Sequence, residues 1–130
     1  MTIDFFLPMI PPTVTAQMHK VTKTGRFYDP PEVKAMKAKL EAHLAQHRPK
    51  EPITGPVFLV AEWSWPSDSN HKDGDPKTTR PDTDNLQKAL KDIMTKLGFW
   101  KDDAQVCMEL VTKSYSDSPG IYITIEEVNL

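Results

Sequence analysis

The chain has 130 residues and 12 prolines, with 38% hydrophobic and 26% charged side chains. That length is one domain, residues 1–130, large enough to bury a core without disulfides. Its single cysteine, Cys107, excludes a disulfide framework and a cysteine-pair zinc site. The formal net charge of −2 announces no polyanion partner, and no apolar run is long enough to span a bilayer.

The elements follow in chain order. Met1-Thr2-Ile3-Asp4 lacks the basic opening of a secretory signal, so the expected compartment is the cytoplasm. Ile3 to Leu7 is a short apolar strand stopped by Pro8. Residues Pro11 to Asp29 are polar and basic and read as a loop. Asp29-Pro30-Pro31 sets up a helix start, and Val33, Met36, Leu40 and Leu44 recur at helical spacing to about His47. Val57 to Trp65 is a strand with Val57, Leu59, Ala61, Trp63 and Trp65 on one face. Pro66 to Pro81 is a long polar loop, a length that usually carries function or disorder.

Leu86, Ala89, Leu90, Ile93, Met94 and Leu97 then mark a strongly amphipathic helix. Asp84 with Gln87 suits a capping box, and Gly98 suits the C-terminal stop. After a turn at Lys101-Asp102-Asp103, Val106, Met108 and Leu110 alternate as a strand. Ile121, Ile123 and Ile125 alternate as the last strand, and the two are expected to form a hairpin or meander. The fold class is α+β: one mixed or antiparallel sheet with two main helices packed on it.

Charge is segregated. Met18 to Lys50 holds eight bases against three acids, while Phe99 to Leu130 holds two bases against six acids. A basic segment is the footprint of a phosphate-backbone partner, and equally that of a solvated helix face with a polar loop.

Three carboxylates carry the chemistry. Asp82 and Asp84 are two residues apart and share a face in extended backbone; Asp103 begins the strand after the helix. Converging carboxylates repel and raise one another's pKa, a cost that a hard divalent cation removes. Lys88 lies one helical turn after Asp84, placing a positive charge beside such a site, as phosphodiester cleavage can use. The alternative makes Asp84 a helix cap, Asp82 a loop residue, Asp102-Asp103 a turn pair and Lys88 a surface lysine. His19, His43, His47 and His71 show no ligand pattern, and Ser114, Ser116 and Ser118 form no nucleophile motif. Cys107 reads as a small buried residue within its strand. Trp63, Trp65 and Trp100 read as packing, with Phe99-Trp100 anchoring the turn.

The run Arg80-Pro81-Asp82-Thr83-Asp84-Asn85-Leu86-Gln87-Lys88-Ala89-Leu90, with Gly98-Phe99-Trp100-Lys101-Asp102-Asp103-Ala104-Gln105-Val106, resembles the RusA family of Holliday junction resolvases. Leu7-Pro8 with Pro11-Pro12 looks like the family's proline-rich opening. Thr83 departs from the apolar residue often found between the aspartates, and Thr15 stands near a position often held by asparagine.

The resemblance implies a homodimeric, Mg²⁺-dependent endonuclease, with Mn²⁺ as substitute, that nicks two opposing strands of a four-way DNA junction in recombination and repair. It implies Asp82, Asp84 and Asp103 as metal-binding catalytic carboxylates, Lys88 as the active-site lysine, and Asp102 as an assisting acid. Lys20, Lys23, Arg26, Lys72, Lys77 and Arg80 are the expected DNA-backbone contacts. The setting implied is the cytoplasm of a bacterial or phage-infected cell, with a prophage as one origin. The alternatives are a non-catalytic junction-binding dimer and a nuclease for other branched DNA.

Overall fold

Alternation of apolar residues builds a sheet with one greasy face, and two helices cover it. The structure is a computed structural model in which residues 1–14, 20, 21, 25 and 27–128 are described. In chain order the elements are β1 (Thr2–Leu7), β2 (Lys20–Val21), β3 (Phe27–Tyr28), α1 (Pro31–Ala45), β4 (Val57–Pro66), α2 (Thr83–Leu97), β5 (Val106–Ser116) and β6 (Gly120–Glu127). A single 3₁₀ turn, Asp103–Gln105, precedes β5.

The main sheet runs β1-β6-β4-β5, and β2 pairs with β3 in a small separate ribbon. β4 and β5 are parallel, while β6 is antiparallel to both β4 and β1. The expected hairpin of the last two strands is therefore corrected: β4 lies between β5 and β6. A parallel pair needs a crossover, and α2 supplies it by carrying the chain back to the starting end of β4. β5 is left at the sheet edge. One register shift, between Val57 and Phe58, sets Cys107 outside the regular ladder.

Register aligns the buried face across three strands. Ile123 pairs with both Phe5 and Ala61, and Ile121 with both Leu7 and Trp63. These pack in one core with Val33, Met36, Leu40 and Leu44 of α1 and Leu86, Ala89, Leu90, Ile93 and Met94 of α2. The opposite face is partly open: Phe6, Met108, Leu110 and Tyr122 are exposed. The alternating apolar set predicted for β5 thus looks outward at Met108 and Leu110, whereas Glu109, Val111 and Lys113 align with Leu59, Ala61 and Trp63 on the helix side.

The helix stops behave as read. Gly98 takes the left-handed conformation (φ 85°), and Phe99 and Trp100 behind it are buried. The N-terminal cap does not follow the sequence reading. α2 begins at Thr83 with Asp82 as N-cap and no side-chain capping bond, so Asp84 lies in the first turn and Gln87 is used elsewhere. The capping box sits one element later: Asp102 Oδ1 accepts from Ala104 N at 2.9 Å, and Gln105 Oε1 accepts from Asp102 N at 3.0 Å. Cys107 is exposed rather than buried, because it falls in the bulge at the start of an edge strand.

Candidate active site

The long polar loop delivers the acidic motif, and β5 holds the loop. Gly74 N donates to Tyr115 O at 2.7 Å, Tyr115 N to Asp75 O at 2.9 Å, and Lys77 N to Lys113 O at 3.0 Å. Asp68 organises the loop tip by accepting from the backbone N–H groups of Asn70 and His71, both at 2.8 Å. These bonds and the neighbouring His71 ring hold its carboxyl below the ordinary range. The His71 ring stacks on Tyr115 with centroids 4.0 Å apart, and Lys77 Nζ lies over Trp65 and Tyr115.

Lys113 fixes the last part of the loop. Its Nζ donates to Thr79 O and Pro81 O, each at 2.7 Å. Partial burial, with Lys77 nearby, pushes its pKa down, and the Asp82 carboxylate partly offsets this. Asp82 is thereby placed beside the C-terminal half of β5. Sequence reading passed over Lys113, and nothing in its local pattern distinguished it from an ordinary strand lysine.

α2 and β5 enclose an open cleft of about 410 Å³ lined by Thr83, Asp84, Gln87, Lys88, Lys91, Asp92, Asp103, Glu109 and Val111. Asp84, Lys88 and Asp103, expected on different grounds, thus share one cleft. Asp82, Asp84, Lys88 and Asp103 are all exposed. Asp102, by contrast, is committed to the cap of the 3₁₀ turn, whose Gln105 Nε2 also donates to Ile53 O at 2.8 Å and Gly55 O at 3.0 Å.

Gln87 forms the floor. It is buried, its Oε1 accepts from Trp63 Nε1 at 2.8 Å, and its Nε2 donates to Glu109 Oε2 at 2.6 Å. Lys91 completes the chain by donating to Glu109 Oε1 at 3.0 Å. This relay pins the middle of α2 to β4 and β5, and with it the direction in which Asp84 and Lys88 project. Glu109 and Gln87 were missed as cleft residues. A glutamate on an edge strand and a glutamine within a helix carry no signal until the register sets them opposite.

One donor set is divided. Among the described residues, no three His, Cys, Asp or Glu side chains stand close enough to hold a metal ion together. Asp84 and Asp103 lie at the two ends of the cleft, because Asp84 is in the first turn of α2 and Asp103 follows its last. A single chain does not bring Asp82, Asp84 and Asp103 to one ion.

Of the expected DNA contacts, Lys72 and Arg80 are exposed on the loop, and Lys77 is half-buried on its aromatic bed. Lys20 is in β2, and Lys23 and Arg26 lie outside the described residues. No described helix is long and apolar enough to cross a membrane.

Comparison with known proteins agrees with the motif. The family model for endodeoxyribonuclease RusA matches residues 9–126. Protein YqaN of Bacillus subtilis is 38% identical over 112 residues, 78% of each chain. The crossover junction endodeoxyribonuclease of Lactococcus phage r1t is 32% identical over 128 residues, 96% of each chain. The crossover junction endodeoxyribonuclease of Escherichia coli K12 is 48% identical over 54 residues, 41% of this chain and 45% of its own.

Proposed function

The chain belongs to the endodeoxyribonuclease RusA family, and from that premise we propose that it is a Mg²⁺-dependent endonuclease resolving four-way DNA junctions by paired, symmetric nicks. The observation that carries this reading is that Asp84, Lys88 and Asp103 all line one cleft. Asp82, Asp84 and Asp103 are the carboxylates that would hold a hard divalent ion, which when bound would supply an activated water and charge neutralisation at a phosphodiester, with Mn²⁺ as the expected substitute.

The chain's own groups do the rest. The Lys88 ammonium offers positive charge to the phosphate oxygens as negative charge grows there. Lys72 and Arg80 contact backbone phosphates, which positions the DNA without reading its sequence. A junction offers two related strands, so two copies of the chain about a two-fold axis suit it. The enzyme acts in the cytoplasm of a bacterial or phage-infected cell.

The test is cleavage of a synthetic four-way junction beside a linear duplex, with Mg²⁺ and with EDTA, by wild type and Asp82→Asn. Paired nicks near the branch point, from wild type in Mg²⁺ alone, are expected. Junction binding without cutting in Mg²⁺ would overturn the nuclease reading in favour of a binding module. Preference for flaps over four-way junctions would move the substrate to another branched DNA.

A further inference from the structure

The turn that delivers Asp82 hangs on one side chain. Backbone bonds lace the polar loop to the edge of β5: Gly74 N donates to Tyr115 O, Tyr115 N to Asp75 O, and Lys77 N to Lys113 O at 3.0 Å. That lacing ends at Lys77. Ammonium groups hold the residues that follow. Lys77 Nζ donates to Thr79 Oγ1 at 2.7 Å, and Lys113 Nζ donates to the carbonyls of Thr79 and Pro81, each at 2.7 Å. Among the described residues, Lys113 forms no ion pair with a carboxylate. Two of the three donors of this ammonium are therefore spent on the backbone just ahead of Asp82.

Asp82 is pinned from both sides. After it, its own carbonyl accepts from Leu86 N at 3.1 Å in the first turn of α2. Before it, Pro81 is buried and clamped by Lys113. The Asp82 carboxylate makes no capping bond to the helix, and it stands near enough to act on the Lys113 ammonium.

We propose, resting on the function argued above, that Lys113 is a positioning residue of the nuclease. Through the Thr79 and Pro81 carbonyls it sets where the Asp82 carboxylate stands relative to α2, and so governs the rate of phosphodiester cleavage. A reacting constellation must be held to within roughly 0.5 Å, and a misplacement of about 1 Å costs about 100-fold in rate. Methionine at position 113 keeps the apolar stem. The lacing of the loop runs through backbone atoms, so it survives that change. What is lost is the pair of donors to the Asp82 turn.

Kinetics and binding, measured separately, decide the role. Lys113→Met is expected to cut a four-way junction about 100-fold more slowly than wild type at saturating DNA in Mg²⁺, with junction binding in EDTA and the urea midpoint kept. Lys113→Arg restores charge and donors with a different reach, and is expected to recover the rate in part. An unchanged saturated rate in Lys113→Met overturns the proposal. So does a full rate joined to weaker binding and a salt slope lower by about one, the signature of a phosphate contact. A slow enzyme with a lowered urea midpoint, neither restored in Lys113→Arg, marks a merely structural lysine and overturns it as well.

A second readout needs no cutting. With Cys107→Ser to remove the exposed native thiol, a nitroxide is attached at Thr78→Cys beside the clamp or, separately, at Asn70→Cys on the loop tip. Lys113→Met is expected to sharpen the spin-resonance lines of the label at 78 and to leave those at 70 unchanged. Equal mobility at 78 with and without the lysine, or release at both labels, overturns the proposal. If wild type cuts no branched DNA, the functional reading falls, and the two labels alone decide whether Lys113 positions the Asp82 turn.

Discussion

The indole nitrogen of Trp63 donates to Oε1 of Gln87 across 2.8 Å, joining the centre of the sheet to the middle of α2 inside the core. Gln87→Leu keeps the volume near constant but leaves that N–H without an acceptor. An orphaned buried donor costs about 1–3 kcal/mol. Urea unfolding is expected to show a loss of about 2 kcal/mol. Because Trp63 and Gln87 are in contact, Trp63→Phe with Gln87→Leu is expected to lose less than the sum of the single changes. Strict additivity would remove the bond from the account of α2's orientation.

Gly120 begins β6 opposite Ser64, pressed against β1. A Cβ there would meet the Phe6 ring and stand 2.5 Å from the Leu7 carbonyl oxygen. The exposed ring can swing aside, but the β1 backbone cannot without disturbing the β1–β6 ladder. Gly120→Ala is therefore expected to destabilise by about 1–3 kcal/mol, the range for overpacking. Calorimetric melting checks it; an unchanged Tm would show that β1 is loosely held.

Much of this architecture was legible in the chain. The face of β4 and the stripe of α2 both bury as their periods require, and Gly98 ends the helix as its freedom at positive φ predicts. The pairing of the strands was not legible. Adjacent apolar alternations suggest a hairpin, but burying α2 on the sheet demands the parallel crossover, and that pushes β5 to the edge. The same step turned Cys107 outward and made Met108 and Leu110 a surface. Asp84 with Gln87 matches a capping box, yet Gln87 is better satisfied by a buried indole and a carboxylate. The box went to Asp102 and Gln105, where a short turn needed it. The one-turn spacing of Asp84 and Lys88 was readable because a helix fixes it locally, whereas Asp82 and Asp84, expected to share a face in extended backbone, are separated by the start of α2 at Thr83. The distance to Asp103 was not readable, because it depends on which strand lies beside which.

Asp68 supplies a pH test of the polar loop. Its carboxyl is held below the ordinary range by the Asn70 and His71 N–H groups and the His71 ring. A lowered folded-state pKa means that the unfolded loop binds the proton more readily, so order in the loop rises with pH across that window. The contribution is present above the ordinary carboxylate range and is lost as pH falls through the lowered value. Protection of the Asn70 and His71 amides from hydrogen exchange is expected to drop on acidification in wild type. Asp68→Ala is expected to lack that protection at every pH, with the β4–β5 ladder unaffected. Equal, pH-independent protection in both proteins would dismiss the carboxylate as the organiser of the loop tip.

Lys88 separates chemistry from mere surface helix. It is exposed, lines the cleft with Asp84 one turn before it, and has no ion-pair partner among the described residues, whereas Lys91 is held by Glu109. An exposed helix lysine contributes little to folding, so Lys88→Met is expected to change stability by no more than about 0.5 kcal/mol. If its ammonium meets phosphate charge as it develops, the rate at saturating junction falls by roughly 10²–10³-fold. A ground-state phosphate contact behaves differently: it weakens binding and lowers the salt slope by about one, leaving the saturated rate nearly untouched. Lys88→Arg keeps the charge but changes its reach and geometry, so it is expected to recover the rate only in part. Measuring the saturated rate, the salt dependence of binding and the urea midpoint on the three proteins assigns Lys88 to one of these roles. An unchanged rate with an unchanged salt slope in Lys88→Met returns it to the solvated face of α2.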